Sequence, residues 1–227
     1  MRVIAGTTRL VALLGHPVDH SLSPLMQNTA FAVRALDLVY VAFDVPPERL
    51  ERAVAGLAEL GFLGANVTAP HKLAVAQLTR SELPSVNTLV FRDGRIEAHS
   101  TDAAVLAGLR AERPVIVGAG GAAAAFAAAL PHARHFSRRA EWPPRVEDAD
   151  LVVNATPVKD EVLVRLGPGQ TLVDLPYPDS ATAAAAREAG AIVFDGLDVL
   201  VAQGAASFEL WTGLPAPVEA MRAAIRH

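Results

Sequence analysis

The sequence predicts an α/β protein made of two consecutive α/β domains, the first with a mainly parallel sheet and the second shorter. Three observations support this. Short apolar runs alternate with helical patterns over nearly the whole chain, as in strand-helix-strand units. The stretch Glu112-Arg113-Pro114 interrupts that alternation about halfway. After it the pattern restarts with an apolar strand that runs directly into glycines.

In the first half, strands are expected near Leu10–Gly15, Val39–Asp44, Phe62–Val67 and Val86–Phe91. Helices are expected over about Pro24–Ala35, Glu48–Leu60 and His71–Leu78, where apolar residues recur three and four apart. Asp93-Gly94 lies between Phe91 and Ile96 and signals a hairpin, which would add an antiparallel edge to the sheet. A helix from Thr101 to Ala111 carries the chain onward. The second half offers strands Pro114–Val117, Arg134–Phe136, Leu151–Asn154, Thr171–Asp174 and Ile192–Phe194, with helices Gly121–Leu130 and Ala181–Ala189. Only thirteen residues separate Ser137 from Leu151, and they include Pro143-Pro144, so no full crossover helix fits there. The last helices, about Val199–Thr212 and Pro217–Ile225, follow the final strand and are free to return to the first domain. The expected boundaries are therefore 1–102, completed by 203–227, and 103–202.

Composition narrows the function. With 227 residues and 52% hydrophobic content the chain can fill a sizeable core. Twenty basic against 24 acidic side chains leave a charge of −4 with no basic run, which argues against a nucleic-acid partner. The absence of cysteine excludes disulfides, thiolate catalysis and cysteine-ligated metal, and fits a reducing compartment. The apolar stretch Leu10–Leu14 is too short to span a bilayer. A cytoplasmic protein acting on a small molecule, as a monomer or homodimer and without a metal, is the expectation.

The candidate chemistry sits where strands end, the edge at which open α/β sheets bind ligands. The segment Asn66-Val67-Thr68-Ala69-Pro70-His71-Lys72 ends a strand with hydrogen-bonding side chains and a lysine. Polar islands follow other strands: His20-Ser21-Leu22-Ser23-Pro24, Val86-Asn87-Thr88 and Ser100-Thr101-Asp102. In the first island Ser23 would cap a helix that begins at Pro24, and two serines at a helix start also suit a carboxylate. In the second half, Val115–Val117 runs into Gly118-Ala119-Gly120-Gly121-Ala122-Ala123, a Gly-x-Gly-x-x-Ala turn between strand and helix. Such a turn admits a pyrophosphate and makes this half a Rossmann-like dinucleotide-binding domain. About 20 positions on, where NAD-preferring domains carry an acid, stand Ser137-Arg138-Arg139, and two guanidiniums suit a 2′-phosphate. NADP is therefore the expected cofactor, with Glu141 nearby keeping NAD open.

Taken in order, these motifs resemble the shikimate dehydrogenase family. The resemblance rests on His-Ser-x-Ser-Pro at His20–Pro24, Asn-Val-Thr-x-Pro-x-Lys at Asn66–Lys72, Val-Asn-Thr-Leu at Val86–Leu89 and Thr101-Asp102. It continues with Gly118–Ala122, Asn-Ala-Thr-Pro-Val at Asn154–Val158, Asp-x-x-Tyr at Asp174–Tyr177, and Asp-Gly-Leu before Val201-Ala202-Gln203. It implies that Ser21 and Ser23 hold a substrate carboxylate, that Thr68, Asn87, Asp102, Tyr177 and Gln203 contact the ring hydroxyls and carboxylate, and that Asn66 belongs to the same site. Lys72 and Asp102 would be the catalytic pair of a reversible NADPH-dependent reduction of 3-dehydroshikimate to shikimate. On the cofactor side it implies Gly118, Ala119, Gly120, Gly121 and Ala122, then Ser137, Arg138 and Arg139. Thr156, Pro157, Val158, Leu175 and Gly196 complete that set.

The chain departs from the family pattern at Ser100 and Ala103, where asparagine and glycine are usual. It departs further on the cofactor side, where Ser137-Arg138-Arg139 replaces Asn-Arg-Thr and Lys159-Asp160 replaces Gly-Met. Two alternatives stay open: a quinate/shikimate-type dehydrogenase using NAD, and a non-catalytic shikimate-binding sensor with a degenerate cofactor domain.

Overall fold

A computed structural model describes residues 4–226 of the chain. It separates into two compact units, residues 1–101 with 204–227, and residues 102–203.

The first unit begins with β1 (Arg9–Gly15), α1 (Ser23–Val33), β2 (Leu38–Asp44), α2 (Leu50–Glu59), β3 (Gly64–Val67) and α3 (Lys72–Leu78). The hairpin β4 (Thr88–Arg92) and β5 (Arg95–His99) follows. Its sheet has the order β2-β1-β3-β4-β5, with β2 and β3 both parallel to β1. The antiparallel β4–β5 hairpin forms as expected around Asp93-Gly94.

One expectation is corrected: β4 also runs antiparallel to β3, so the sheet is mixed over two strand pairs. After α3 the chain doubles back along the helix: residues 79–87 return to its start, where Val86 N donates to Lys72 O at 3.1 Å. The chain therefore enters β4 at the edge where β3 ended. One face of this sheet packs on the inner sides of α2 and α3 through Leu14, Val54, Leu57, Val67, Val75 and Leu89.

A second correction concerns the helix expected from Thr101 to Ala111. Only a 3-10 turn, Asp102–Leu106, forms. Gly108 then adopts φ +84, a left-handed conformation that ends the turn.

The second unit continues with β6 (Pro114–Val117), α4 (Gly121–Ala129), β7 (Arg134–Phe136), β8 (Leu151–Asn154), β9 (Thr171–Asp174), α5 (Ala181–Glu188) and β10 (Ile192–Phe194). All five strands are parallel, in the order β10-β9-β8-β6-β7. No helix or strand lies between Phe136 and Leu151. Residues such as Ile116, Val152, Val153, Leu172 and Val173 are fully buried, and apolar side chains from both sheet faces complete two core clusters. This is the near-continuous apolar strand pattern of a sheet covered on both sides.

Helix α6 (Gly196–Thr212) contributes its first eight residues to the second unit and the rest to the first. It starts earlier than expected because Asp195 caps it, its carboxylate accepting from the amides of Leu197 and Asp198 at 3.1 and 3.0 Å. Helix α7 (Val218–Ile225) lies against α1 in the first unit.

Candidate active site

In the first unit, the strand register brings five chain segments to one edge. Gly15 ends β1 beside Asp44 of β2, Leu14 pairs with Val67, Asn66 faces Thr88, and Thr88 faces His99. The loops carrying Ser21, Thr68, Lys72 and Asn87 therefore leave the sheet at the same edge. The order β2-β1-β3 makes the gap between β1 and β3 a switch point, the position where open α/β sheets bind ligands. There Gly15 needs to be glycine, because a Cβ would collide with the Thr68 methyl group and Val18. The Thr68 amide donates to Leu14 O at 2.8 Å, and His16 N donates to Ala69 O at 3.1 Å, which ties the turn before Lys72 to the end of β1.

His71, expected only as part of that turn, is buried, and its Nε2 lies 2.7 Å from Val45 O. It pins the start of α3 to the end of β2. Lys72, the first residue of α3, is half-buried.

Ser21 and Ser23 lie at the start of α1. Ser23 does not cap α1. The Ser21 hydroxyl accepts from Ser23 N at 3.3 Å, whereas Ser23 is itself buried. Burial pushes the Tyr40 phenol well above its ordinary pKa, and the Ser23 side chain only partly opposes it.

Asn66 is likewise corrected. Its side chain turns away from the open edge into a buried polar cluster. Oδ1 accepts from Tyr40 Oη at 2.8 Å, and Nδ2 lies 3.1 Å from Asn87 O, 3.0 Å from Thr88 Oγ1 and 3.0 Å from Ser207 Oγ. With the amide committed to four partners, Asn66 holds the edge together instead of meeting a ligand.

Ser207 was not singled out by its sequence, yet it sits at the hub. Its hydroxyl is 2.9 Å from Thr88 Oγ1 and 3.1 Å from Thr101 Oγ1. Asn87 closes the cluster: its Oδ1 accepts from Thr101 N at 2.7 Å and its Nδ2 donates to Thr101 Oγ1 at 2.9 Å. The only sequence sign of this hub is a small polar residue in an apolar helix, and that sign is common.

The second unit repeats the plan with different materials. Its order reverses between β6 and β8, so the switch point lies at the ends of those strands. Gly118 stands there at φ +140, and a Cβ would lie 2.8 Å from Ala155 O, so only glycine lets the two loops meet. Around a Cβ at Gly120 nothing lies within 4 Å. The turn thus faces open space at the start of α4, where backbone amides favour an anion.

A cavity of about 400 Å³ adjoins the turn. It is lined by the turn Gly118–Gly120, by Ser137, Arg138, Arg139 and Trp142 after β7, and by Thr156, Pro157 and Val158 after β8. Its size and its glycine cradle fit a dinucleotide. Gly121 and Ala122 open α4 just beyond.

Loop positions here are set by buried polar side chains. Asn154 Oδ1 accepts from Thr156 Oγ1 at 2.8 Å, and Asn154 Nδ2 donates to Asp174 Oδ1 at 2.7 Å. Ser180 donates to Asp174 Oδ2 at 2.6 Å and caps α5 through Ala183 N. Burial raises the Asp174 pKa more strongly than these two hydrogen bonds lower it. Leu175, Tyr177 and Gly196 follow β9 and β10 at the same edge, with Leu175 N donating to Asn154 O at 3.0 Å. Asp102 is buried at the start of the 3-10 turn, and Gln203 lies half-buried on α6.

Two parallel-type switch points and a glycine cradle for a dinucleotide define an α/β oxidoreductase of the Rossmann-like class. Comparison with known proteins is more specific. Residues 13–88 match the shikimate dehydrogenase substrate binding domain, and residues 196–226 match the shikimate 5′-dehydrogenase C-terminal domain. The shikimate dehydrogenase (NADP(+)) of Methanopyrus kandleri is 40% identical over 96% of this chain and 95% of its own. That of Anaeromyxobacter sp. strain Fw109-5 is 41% identical over 98% of both chains. The crystal structure of the Thermus thermophilus shikimate 5-dehydrogenase with NADP(H) and shikimate shares 31% identity and a TM-score of 0.84 over 96% of this chain and 98% of that one. The chain belongs to the shikimate dehydrogenase family.

Proposed function

We infer that the chain is an NADP-dependent shikimate dehydrogenase, which reduces 3-dehydroshikimate to shikimate reversibly in the service of aromatic amino-acid synthesis. The observation that carries this is the 40% identity with the Methanopyrus kandleri enzyme over nearly the full length of both chains. Residues 1–102 with 203–227 form the substrate domain and residues 103–202 the dinucleotide domain. The protein works in the cytoplasm as a monomer or homodimer.

NADPH, when held in the dinucleotide domain, would supply the hydride for the ketone carbon. Everything else falls to side chains. Ser21 and Ser23 hold the substrate carboxylate near the start of α1, where the helix dipole adds to hydroxyl donation. Thr68, Asn87, Tyr177 and Gln203 fix the ring through its hydroxyls and carboxylate. Lys72 stabilises the alkoxide that develops on the carbonyl oxygen and gives it a proton. Asp102 orients Lys72, and in the reverse direction the pair takes the proton back. The buried cluster around Asn66 and Ser207 supports Asn87 and the turn into Asp102, which is why these residues can act from a rigid edge.

At the cofactor, the turn Gly118–Gly120 receives the pyrophosphate, and Thr156, Pro157 and Val158 face it. Arg138 and Arg139 receive the 2′-phosphate. Glu141, the acid that kept NAD open, is ion-paired to Arg145, which supports the NADP assignment. Incubating the purified protein with shikimate and NADP should produce NADPH, read as nicotinamide absorbance. Absence of turnover with NADP and with NAD would refute the assignment.

A further inference from the structure

Building on the dinucleotide assignment above, we propose that Trp142 and Glu161 set nucleotide affinity and selectivity. Trp142 backs Arg138 as a stacking slab for the adenine, and Glu161 competes with the 2′-phosphate for the same guanidinium.

The geometry singles out these two residues. The Arg138 Cζ lies 5.3 Å from the Trp142 ring centroid, within the range of a cation–π contact. Its Nη2 donates to Glu161 Oε2 at 2.7 Å. The guanidinium is thus flanked by the indole, one of its nitrogens is held by a carboxylate, and Arg138 itself lines the cavity. A guanidinium held in this way can meet a nucleotide base with little rotamer freedom left to lose.

Trp142 is placed there by the shortened crossover. After β7 the chain turns tightly, with Ala140 N donating to Ser137 O at 3.0 Å and Ser137 N to Glu141 O at 3.2 Å, which brings residue 142 back over residue 138. The indole is 37% exposed and lines the cavity, so it is a wall of the site and not part of the core. In a chain with no crossover helix at this place, an aromatic ring supplies the support.

Glu161 matters by its charge. Arg139, which also lines the cavity, makes no hydrogen bond or ion pair among the described residues. Arg138 is already neutralised by Glu161. A 2′-phosphate approaching the pair gains one uncommitted cation and meets one anion. A ribose with a free 2′-hydroxyl carries no such penalty, and a carboxylate is a good acceptor for that hydroxyl. Glu161 therefore weakens NADP relative to NAD.

Calorimetric titration of the full chain with NADP and with NAD tests both parts, using Glu161→Gln, Trp142→Ala and Trp142→Phe. Glu161→Gln should tighten NADP about three- to tenfold, the range of a partly screened ion pair, and leave NAD unchanged or weaker. Trp142→Ala should weaken both nucleotides about three- to tenfold, and Trp142→Phe should restore most of that loss because an aromatic face remains. The protein has two tryptophans, and Trp211 is buried, so the emission change on adding NADP should vanish in Trp142→Phe. Equal effects of Glu161→Gln on the two nucleotides, or unaltered binding by Trp142→Ala, would overturn the proposal while leaving the dinucleotide site standing. Failure of the unmodified protein to bind either nucleotide would overturn both.

Discussion

The two sheets put their ligand-facing residues at the same kind of place, the carboxyl edge beside a switch point, but hold them by different means. In the first unit Asn66, Asn87, Thr88, Thr101 and Ser207 are all nearly inaccessible and satisfy one another, so the edge is supported from behind by side chains. In the second unit the cradle is backbone, Gly118 against Ala155, and the charged wall is exposed: Arg138 and Glu161 are each 59% accessible. The contrast follows from the ligands. A small polyhydroxylated ring is recognised by hydroxyls placed to within fractions of an ångström, whereas a pyrophosphate and a 2′-phosphate are recognised by amides and exposed cations.

This contrast predicts where damage will show. The largest effect belongs to Lys72→Ala, which should lower turnover by about 10²- to 10⁴-fold with a much smaller change in substrate KM, as expected for a lost proton donor. Steady-state kinetics decide it, and unchanged turnover would remove Lys72 from the mechanism.

Next comes Gly118→Ala. It forces a side chain into φ +140 and against Ala155 O, at a cost of about 1–3 kcal/mol in stability. NADP affinity should fall with it while binding of shikimate alone stays, as measured by denaturant unfolding and two separate titrations. Ser207→Ala is the converse experiment. It leaves Asn66, Thr88 and Thr101 each short of a buried partner, for about 1–3 kcal/mol. Shikimate KM should rise with NADP affinity unaltered, and an effect on NADP instead would break the distinction between the two edges.

The smallest effect tests electrostatics away from both sites. The Asp150 carboxylate accepts from the amides of Glu112 and Arg113 at 2.7 and 3.0 Å. Burial alone would raise its pKa, but these backbone donors outweigh that and hold it below the ordinary carboxylate value. A depressed pKa stabilises the fold above the unfolded value of about 4 and loses that contribution as pH falls through the folded one. Asp150→Asn should therefore cost about 1 kcal/mol at neutral pH, since the site is partly solvated. Urea titrations should show the gap closing below about pH 4.

Legibility differed between the two edges as well. The glycine turn of the second unit was readable because its physical requirement, a positive φ and close backbone approach, admits one residue type at Gly118. The strands were readable from their apolar runs. The direction of β4 was not, because it depends on residues 79–87 doubling back along α3 to Lys72 and not on any residue in β4 itself. The lost helix after Thr101 had a local cause, Gly108, hidden among alanines and leucines that favour helix. Within the candidate site, Ser21, Thr68, Lys72 and Asn87 could be picked from motif and strand end. The inward turn of Asn66 and the hub at Ser207 could not, because they depend on a contact spanning 141 residues of sequence. Trp142 escaped for the same reason: only the folded turn puts its ring over Arg138.

The most direct test compares kcat/KM for shikimate oxidation with NADP against quinate oxidation with NAD on the same preparation. The shikimate–NADP pair should dominate by at least about tenfold, the discrimination that one well-used hydroxyl or phosphate contact supplies. Equal rates, or a preference for quinate with NAD, would contradict the assignment of this chain as an NADP-dependent shikimate dehydrogenase.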